Sequence, residues 1–154
     1  MCTKVVYSPV NGNVITTNKI KDDVFGSNTL GEGFGIIPKD GKFVAPIAGE
    51  VTLCEGHAFS IKSNDNVEVL VHIGIETVSI KPEDKAQIFK YSCKVGDKVN
   101  IKDHIGEVDI EKIKQLGFDI TTPVIVLKNP EKSRSIMIEH IGESLAGDSI
   151  LSIE

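Results

Sequence analysis

Two of the chain's four histidines, His57 and His72, bracket one short stretch. Between them, Ala58 to Lys62 and Val67 to Val71 are strand-like runs rich in β-branched and aromatic residues. Ser63-Asn64-Asp65-Asn66 has the short polar side chains of a turn. A hairpin turning symmetrically about Asn64-Asp65 sets residue 57 opposite residue 72, so the two imidazoles are predicted to face each other, with Cβ atoms about 5 Å apart. A slip of one residue would put them on opposite faces.

Facing imidazoles have three chemical uses. A neutral imidazole is a nucleophile toward phosphorus, and its neighbour can donate to the phosphoryl oxygens. Two imidazoles on adjacent strands can share a transition metal, usually zinc. They can also be acid and base in hydrolysis. An ordinary hairpin carrying surface or core histidines fits the spacing equally well. A catalytic zinc site needs three protein ligands. His104 and His140 have no local pairing, and Cys54, three residues before His57, points to the opposite face of a strand. Glu32, Glu55 and Glu76 lie near these motifs in sequence. Around the histidines they would disfavour a bound phosphate dianion and attract a basic docking partner, which suits a group relay better than a store. Phe34, Ile36, Val44 and Ile47 are candidates for an exposed docking patch, with the core as the ordinary place for any one of them.

The elements that must position these residues are mostly short strands. Lys4 to Tyr7 and Val14 to Thr17 flank the turn Ser8-Pro9-Val10-Asn11-Gly12-Asn13. Residues 21–28 read as a loop around Val24 and Phe25. Gly31, Gly33 and Gly35 alternate, which predicts a close backbone approach or a sharp bend. Pro38 and Gly41 exclude the helix that a dinucleotide fingerprint needs there. Thr77 to Ile80 reads as extended until Pro82 ends it, and 86–91 fits helix or strand. One segment has helical periodicity: Ile110, Ile113 and Leu116, with Asp109 to cap the start and Gly117 to end it. Pro123 to Lys128, Ser135 to Ile138 and Ile150 to Ile153 close the chain as strands. Many short strands with frequent turns predict an all-β sandwich or barrel with very little helix, and no linker divides residues 1–154 into more than one domain.

The composition is that of a soluble globular protein, 40% hydrophobic and 25% charged. A net charge of −5 argues against nucleic acid and against an anionic membrane surface. No apolar run is long enough to span a membrane, and the polar N-terminus does not resemble a signal peptide. Cys2, Cys54 and Cys93, an odd count with no close-set pair, read as reduced thiols. A cytoplasmic location is expected.

Taken together, the motifs resemble the glucose-type enzyme IIA domain of the bacterial phosphoenolpyruvate-dependent sugar phosphotransferase system. The resemblance is carried by Ser8-Pro9-Val10-Asn11-Gly12-Asn13-Val14, by residues 30–36 and 44–51, by His57-Ala58-Phe59-Ser60-Ile61, by residues 71–78, by Lys94-Val95-Gly96-Asp97-Lys98-Val99 and by Thr122-Pro123-Val124. It implies a compact antiparallel β-sandwich or flattened barrel with two related halves. It implies that His72 accepts a phosphoryl group on Nε2 from the phosphocarrier HPr and passes it to a cysteine of the sugar permease IIB domain, with His57 assisting. It places Glu32, Phe34, Ile36, Val44, Ile47 and Glu76 at the partner interface. It requires no cofactor, and allows a regulatory zinc ion on His57 and His72 at a contact with a regulatory target protein. A free-standing soluble carrier with no direct membrane insertion is expected.

This chain departs from that pattern in three places. Glu32 and Glu76 stand for the usual aspartates, Glu55 for a threonine near the histidine pair, and Lys81-Pro82-Glu83-Asp84-Lys85 for a glycine-rich loop. Two rival readings remain. One is a biotinyl or lipoyl carrier, whose modified lysine would have to be Lys42 or Lys62, although neither has the right flanks. The other is a zinc hydrolase of a related β fold, whose His-x-His pair is absent.

Overall fold

Alternating β-branched and small residues build short strands, the longest of eight residues, in a computed structural model that describes residues 4–131 and 134–154. In chain order these are β1 (Lys4–Tyr7), β2 (Gly12–Thr16), α1 (Asp23–Gly26), β3 (Gly31–Pro38), β4 (Lys42–Val44), β5 (Gly49–Glu55), β6 (Ala58–Lys62) and β7 (Glu68–His72). Then follow α2 (Pro82–Ile88), β8 (Phe89–Tyr91), β9 (Lys98–Val99), β10 (His104–Val108), α3 (Ile110–Gln115), β11 (Thr122–Leu127), β12 (Ile136–Ile138), β13 (Gly142–Ser144) and β14 (Ser149–Ile153). The predicted antiparallel β architecture with little helix is what the chain adopts.

An eight-stranded sheet runs in the order β13-β2-β3-β11-β7-β6-β5-β9, and two three-stranded sheets, β1-β14-β12 and β4-β10-β8, complete the fold. The large sheet ends in open edges at β13 and β9, so no closed barrel forms among the described residues. The main core lies between the three sheets. Phe34, Ile36, Phe59, Ile61, Val69 and Val71 of the large sheet meet Val6 and Leu151 of one small sheet and Phe43 and Ile105 of the other. A smaller cluster of Ile20, Phe25, Ile75 and Ile125 covers the other face of the large sheet. Alternation along β11 explains both: Val124 and Val126 face the main core, Ile125 the small cluster. The glycine alternation in β3 is a close approach, as expected. A Cβ on Gly33 would sit 2.0 Å from the Val124 carbonyl oxygen, and one on Gly31 2.0 Å from that of Val126.

Three local readings are corrected. Residues 21–28 contain a helical turn, α1, because the Asp22 carboxylate accepts from the amides of Val24 and Phe25. Thr77–Ser79 is a 3₁₀ turn rather than extended chain, entered through Glu76 at φ +60. Pro82 opens a helix instead of ending an element: it fixes φ at the first helical position, and Glu83 and Asp84 favour that end. The predicted helix is present as α3, with the Asp109 carboxylate accepting from the Lys112 amide and Gly117 at φ +90 after it.

Candidate functional site

The hairpin between β6 and β7 is present, but its register differs by one residue from the predicted one. Ala58, not His57, is the partner of His72, and the ladder continues to Lys62 opposite Glu68. The cause is the turn. The amide of Ser63 donates to the Val67 carbonyl and that of Asn66 to the Ser63 carbonyl, and Asn66 is left-handed at φ +66. This is a three-residue loop centred on Asp65, where the prediction assumed a symmetric turn about Asn64-Asp65.

The two imidazoles meet nonetheless. Their ring centroids are 4.7 Å apart, with the planes at 69°. His57 belongs to no strand. It is the second residue of the tight turn between Glu55 and Ala58, whose first residue, Gly56, has φ +53, the arrangement of a hairpin turn with glycine first. A turn residue escapes the in–out alternation of a strand, so its side chain can reach the face that carries His72. Two bonds hold the turn: the Ile73 amide donates to the His57 carbonyl at 2.6 Å, and the Tyr91 hydroxyl donates to the Gly56 carbonyl at 2.7 Å. Tyr91, some thirty-five residues away in sequence, was not among the predicted site residues, and no local motif marks it.

His72 is fixed more closely. Its Nδ1 lies 2.8 Å from the Gly74 carbonyl oxygen. A carbonyl only accepts, so Nδ1 carries the proton and Nε2 the lone pair. Gly74 is left-handed at φ +81, which turns its carbonyl back toward the ring, and a Cβ there would lie 2.5 Å from Thr77 Cγ2. Thr77, fully buried, donates through Oγ1 to the Ile73 carbonyl. Phe25 of α1 packs its ring 4.8 Å from that of His72.

Both imidazoles are held neutral. Burial brings the His57 pKa down to about 4, helped by repulsion from the His72 ring whenever that ring is protonated and by the Lys85 ammonium. Burial also lowers that of His72, against the opposing pull of the Gly74 hydrogen bond and the Asp22 carboxylate. The Lys85 stem runs past Gly56, and its ammonium donates to the Val78 carbonyl at 2.8 Å. His57 Nδ1 is buried without a hydrogen-bond partner. Among the described residues, neither ring is bonded to a carboxylate.

The predicted docking patch is corrected. Phe34 and Ile36 are fully buried and Ile47 is 1% exposed, so all three are core. Phe34 and Ile36 alternate along β3 toward the main core, and Ile47 joins them from the connection between β4 and β5. Val44 is half-buried and pairs with His104. Glu32 is exposed but lines a cavity of ≈ 590 Å³ with Lys128 and Arg134, not with the histidines. Glu76, also exposed, shares a smaller depression with Asp22 and Val24 at the foot of α1. The exposed apolar residues on the elements beside His72 are Val24, at 42%, and Val78, at 59%.

Among the described residues, no group of three or more histidine, cysteine and acidic side chains can hold a metal. The two imidazoles with the other described residues therefore do not make a complete zinc site, and any further donors would have to come from outside the described residues. Lys62 pairs with Glu68 within a ladder and Lys42 with Glu107, so neither sits at a hairpin tip as a cofactor lysine does. Open cavities of ≈ 560 and ≈ 590 Å³ lie elsewhere, lined by neither histidine. Among the described residues, no helix is long and apolar enough to cross a membrane.

The chain is similar to known proteins in both sequence and fold. Residues 4–132 match the family model for the phosphoenolpyruvate-dependent sugar phosphotransferase system, EIIA 1. The chain is 36% identical over 152 residues to the beta-glucoside-specific EIIBCA component of Bacillus subtilis, covering 97% of this chain and 24% of that protein. It thus spans about a quarter of that relative's length. It is 38% identical over 125 residues to the glucose-specific EIIA component of Halalkalibacterium halodurans, covering 80% of this chain and 70% of that one. The corresponding component of Buchnera aphidicola is 36% identical over 148 residues, covering 95% and 88%. The solved glucose permease IIA from Mycoplasma capricolum superposes with a TM-score of 0.88 at 30% identity, over 99% of this chain and 96% of that one.

Proposed function

The chain belongs to the EIIA 1 family of the phosphoenolpyruvate-dependent sugar phosphotransferase system, and we propose that it is a glucose-type phosphocarrier that holds the phosphoryl group on His72 Nε2. The observation that carries this reading is the bond between His72 Nδ1 and the Gly74 carbonyl. It leaves the Nε2 lone pair free on a ring whose lowered pKa keeps it unprotonated near neutral pH.

The transfer follows from that arrangement. The Nε2 lone pair attacks the phosphorus of the donor, a phosphohistidine of HPr. The donor N–P bond breaks as the new one forms, and the donor nitrogen recovers its lone pair. The phosphorylated imidazole gains positive character, which the Gly74 carbonyl stabilises through Nδ1–H. His57, with Nδ1 unpartnered, is placed to assist when a cysteine thiolate of a IIB domain takes the group. That the relatives include chains joining EIIB, EIIC and EIIA parts supports such an acceptor. Positioning and charge stabilisation, not an activating base, carry this chemistry. Among the described residues no carboxylate is hydrogen-bonded to either ring, so neither imidazole is held in a carboxylate–histidine pair that would activate water. Val24 and Val78 supply an apolar rim on which a partner can exclude water.

Incubation with phosphoenolpyruvate, enzyme I and HPr tests the proposal. A base-stable, acid-labile label is expected, absent from His72→Ala, while His57→Gln accepts the label but passes it on slowly to a IIB domain. A label that survives in His72→Ala overturns the assignment of His72. Loss of acceptance in folded His57→Gln overturns the division of roles.

A further inference from the structure

Cys54 and Cys93, distant in sequence, come together beneath the turn that carries His57. Their sulfurs are 3.7 Å apart, and Cys54 Sγ lies 3.2 Å from the Cys93 carbonyl oxygen. Both residues are half-buried against the main core. Their approach is built in. The amide of Gly96 donates to the Val51 carbonyl, and that of Val51 to the Asp97 carbonyl, which clasps the loop after β8 onto β5. Cys54 ends three residues before His57, and Cys93 follows two residues after Tyr91, whose hydroxyl holds Gly56. The thiol pair and the His57 turn therefore share both of their supporting segments.

We propose that Cys54 and Cys93 form a reversible disulfide whose state alters the setting of the His57 turn. A disulfide needs the sulfurs at about 2.05 Å. Side-chain rotation and a small shift of the irregular loop at Cys93 close the remaining gap. The oxidant is a low-molecular-weight disulfide. The Cys93 thiolate attacks one of its sulfurs, forming a mixed disulfide and releasing one small thiolate. The Cys54 thiolate then attacks the Cys93 sulfur and releases the second. The protein gives up two electrons, and its two thiol protons end on the two small thiols. Cys93 is the first nucleophile, because the hydrogen bond from Cys54 favours its thiolate, whereas Cys54 is pushed up to about 12 by burial and by its bond to Cys93. Burial raises Cys93 as well, so the exchange is slow near neutral pH and quickens as pH rises. This reading stands apart from phosphoryl transfer.

The full chain carrying Cys2→Ser, equilibrated without oxygen in graded mixtures of glutathione and glutathione disulfide, tests it. Acid quenching, alkylation with N-ethylmaleimide and intact mass should show a species that takes no label and has lost two hydrogens. Adding Cys54→Ser should replace it with a single glutathione adduct on Cys93. Two alkylatable thiols throughout the range, or a persistent mixed disulfide in the two-thiol chain, would overturn the site. On oxidation the His57 ring resonances should shift, while those of His140 stay put, since His140 lies beside β13 at the opposite edge of the large sheet. A disulfide that leaves His57 unmoved overturns the coupling.

Discussion

His72 Nδ1 and the Gly74 carbonyl oxygen are 2.8 Å apart, a contact between residues two apart in the chain that decides which nitrogen of the ring reacts. In nitrogen-15 spectra near neutral pH, His72 is expected to show a protonated Nδ1 and a bare Nε2. The opposite tautomer would remove the basis for placing the phosphoryl group on Nε2.

Gly74→Ala should lose both stability and acceptance. The residue sits at φ +81, and the new methyl would press on Thr77 Cγ2 at 2.5 Å. Left-handed strain and the clash together are expected to cost about 2–3 kcal/mol. Urea unfolding measures that loss. Labelling from phospho-HPr, taken where the variant is still folded, should be slowed, because the carbonyl that fixes the tautomer has moved.

The histidines also set an acid limit. Folded His57 titrates at about 4, against about 6.5 in an unfolded chain. Between those values the unfolded chain binds a proton that the folded chain does not, so stability is full above about pH 6.5 and falls as pH drops through the window. His72 adds a contribution of the same sign. Urea midpoints at pH 7.5, 6 and 5 should decline, and His57→Gln should flatten the decline. Equal slopes for the two proteins would show that His57 is not held neutral by burial. Lys85→Gln should raise the His57 pKa only slightly, because burial is the largest cause of the lowered value and the Lys85 ammonium the smallest, and NMR titration reads that shift directly.

The lowered pKa of His72 also affects the rate. An ordinary histidine with pKa about 6.5 would lose about fourfold of its free base between pH 7.5 and 6.0. The labelling rate of this protein, with HPr and enzyme I in excess, should fall by less than that. A fourfold or larger fall traced to His72 would mean that its ring titrates like one in water.

Much of the fold is legible in the sequence because its strands obey local rules. The glycines of β3 alternate because the carbonyls of Val124 and Val126 occupy the space their side chains would need. Asp109 and Gly117 bound α3 as their types predict. What failed to show were choices made by competing local signals. Pro82 reads as a breaker or as the first residue of a helix, and only the acidic pair after it tips the balance. Asp22 and Asp23 look like loop until the first is recognised as a cap.

The site divides in the same way. His57 and His72 are visible as a pair, but their meeting does not depend on the register that made them conspicuous. An asparagine in the left-handed region lengthens one turn by a residue, and a glycine in the next turn frees His57 from alternation. Phe34 and Ile36 in β3 and Ile47 in the connection between β4 and β5 look like a sticky surface in composition, because buried and docking apolar residues are of the same types. Tyr91 and the Cys54–Cys93 contact are long-range, and nothing within either segment announces the other.

Tyr91→Phe separates the two histidines' roles without touching either. The hydroxyl donates to the Gly56 carbonyl at 2.7 Å, and the ring packs against Phe59 at 6.2 Å. Phenylalanine keeps that packing and removes one hydrogen bond, so the expected loss of stability is about 1–2 kcal/mol. The bond lies on the turn of His57, while His72 is held by Gly74, Thr77 and Phe25, which the substitution leaves alone. Acceptance from phospho-HPr should therefore stay within about twofold of the parent, an effect below about 0.5 kcal/mol. Onward transfer to a IIB domain should slow by more, because the assisting ring is less well placed. Single-turnover rates for the two half-reactions measure the split. An equal fall in both would mean that the Tyr91 bond serves the fold as a whole, and that the turn is not where the roles of His57 and His72 diverge.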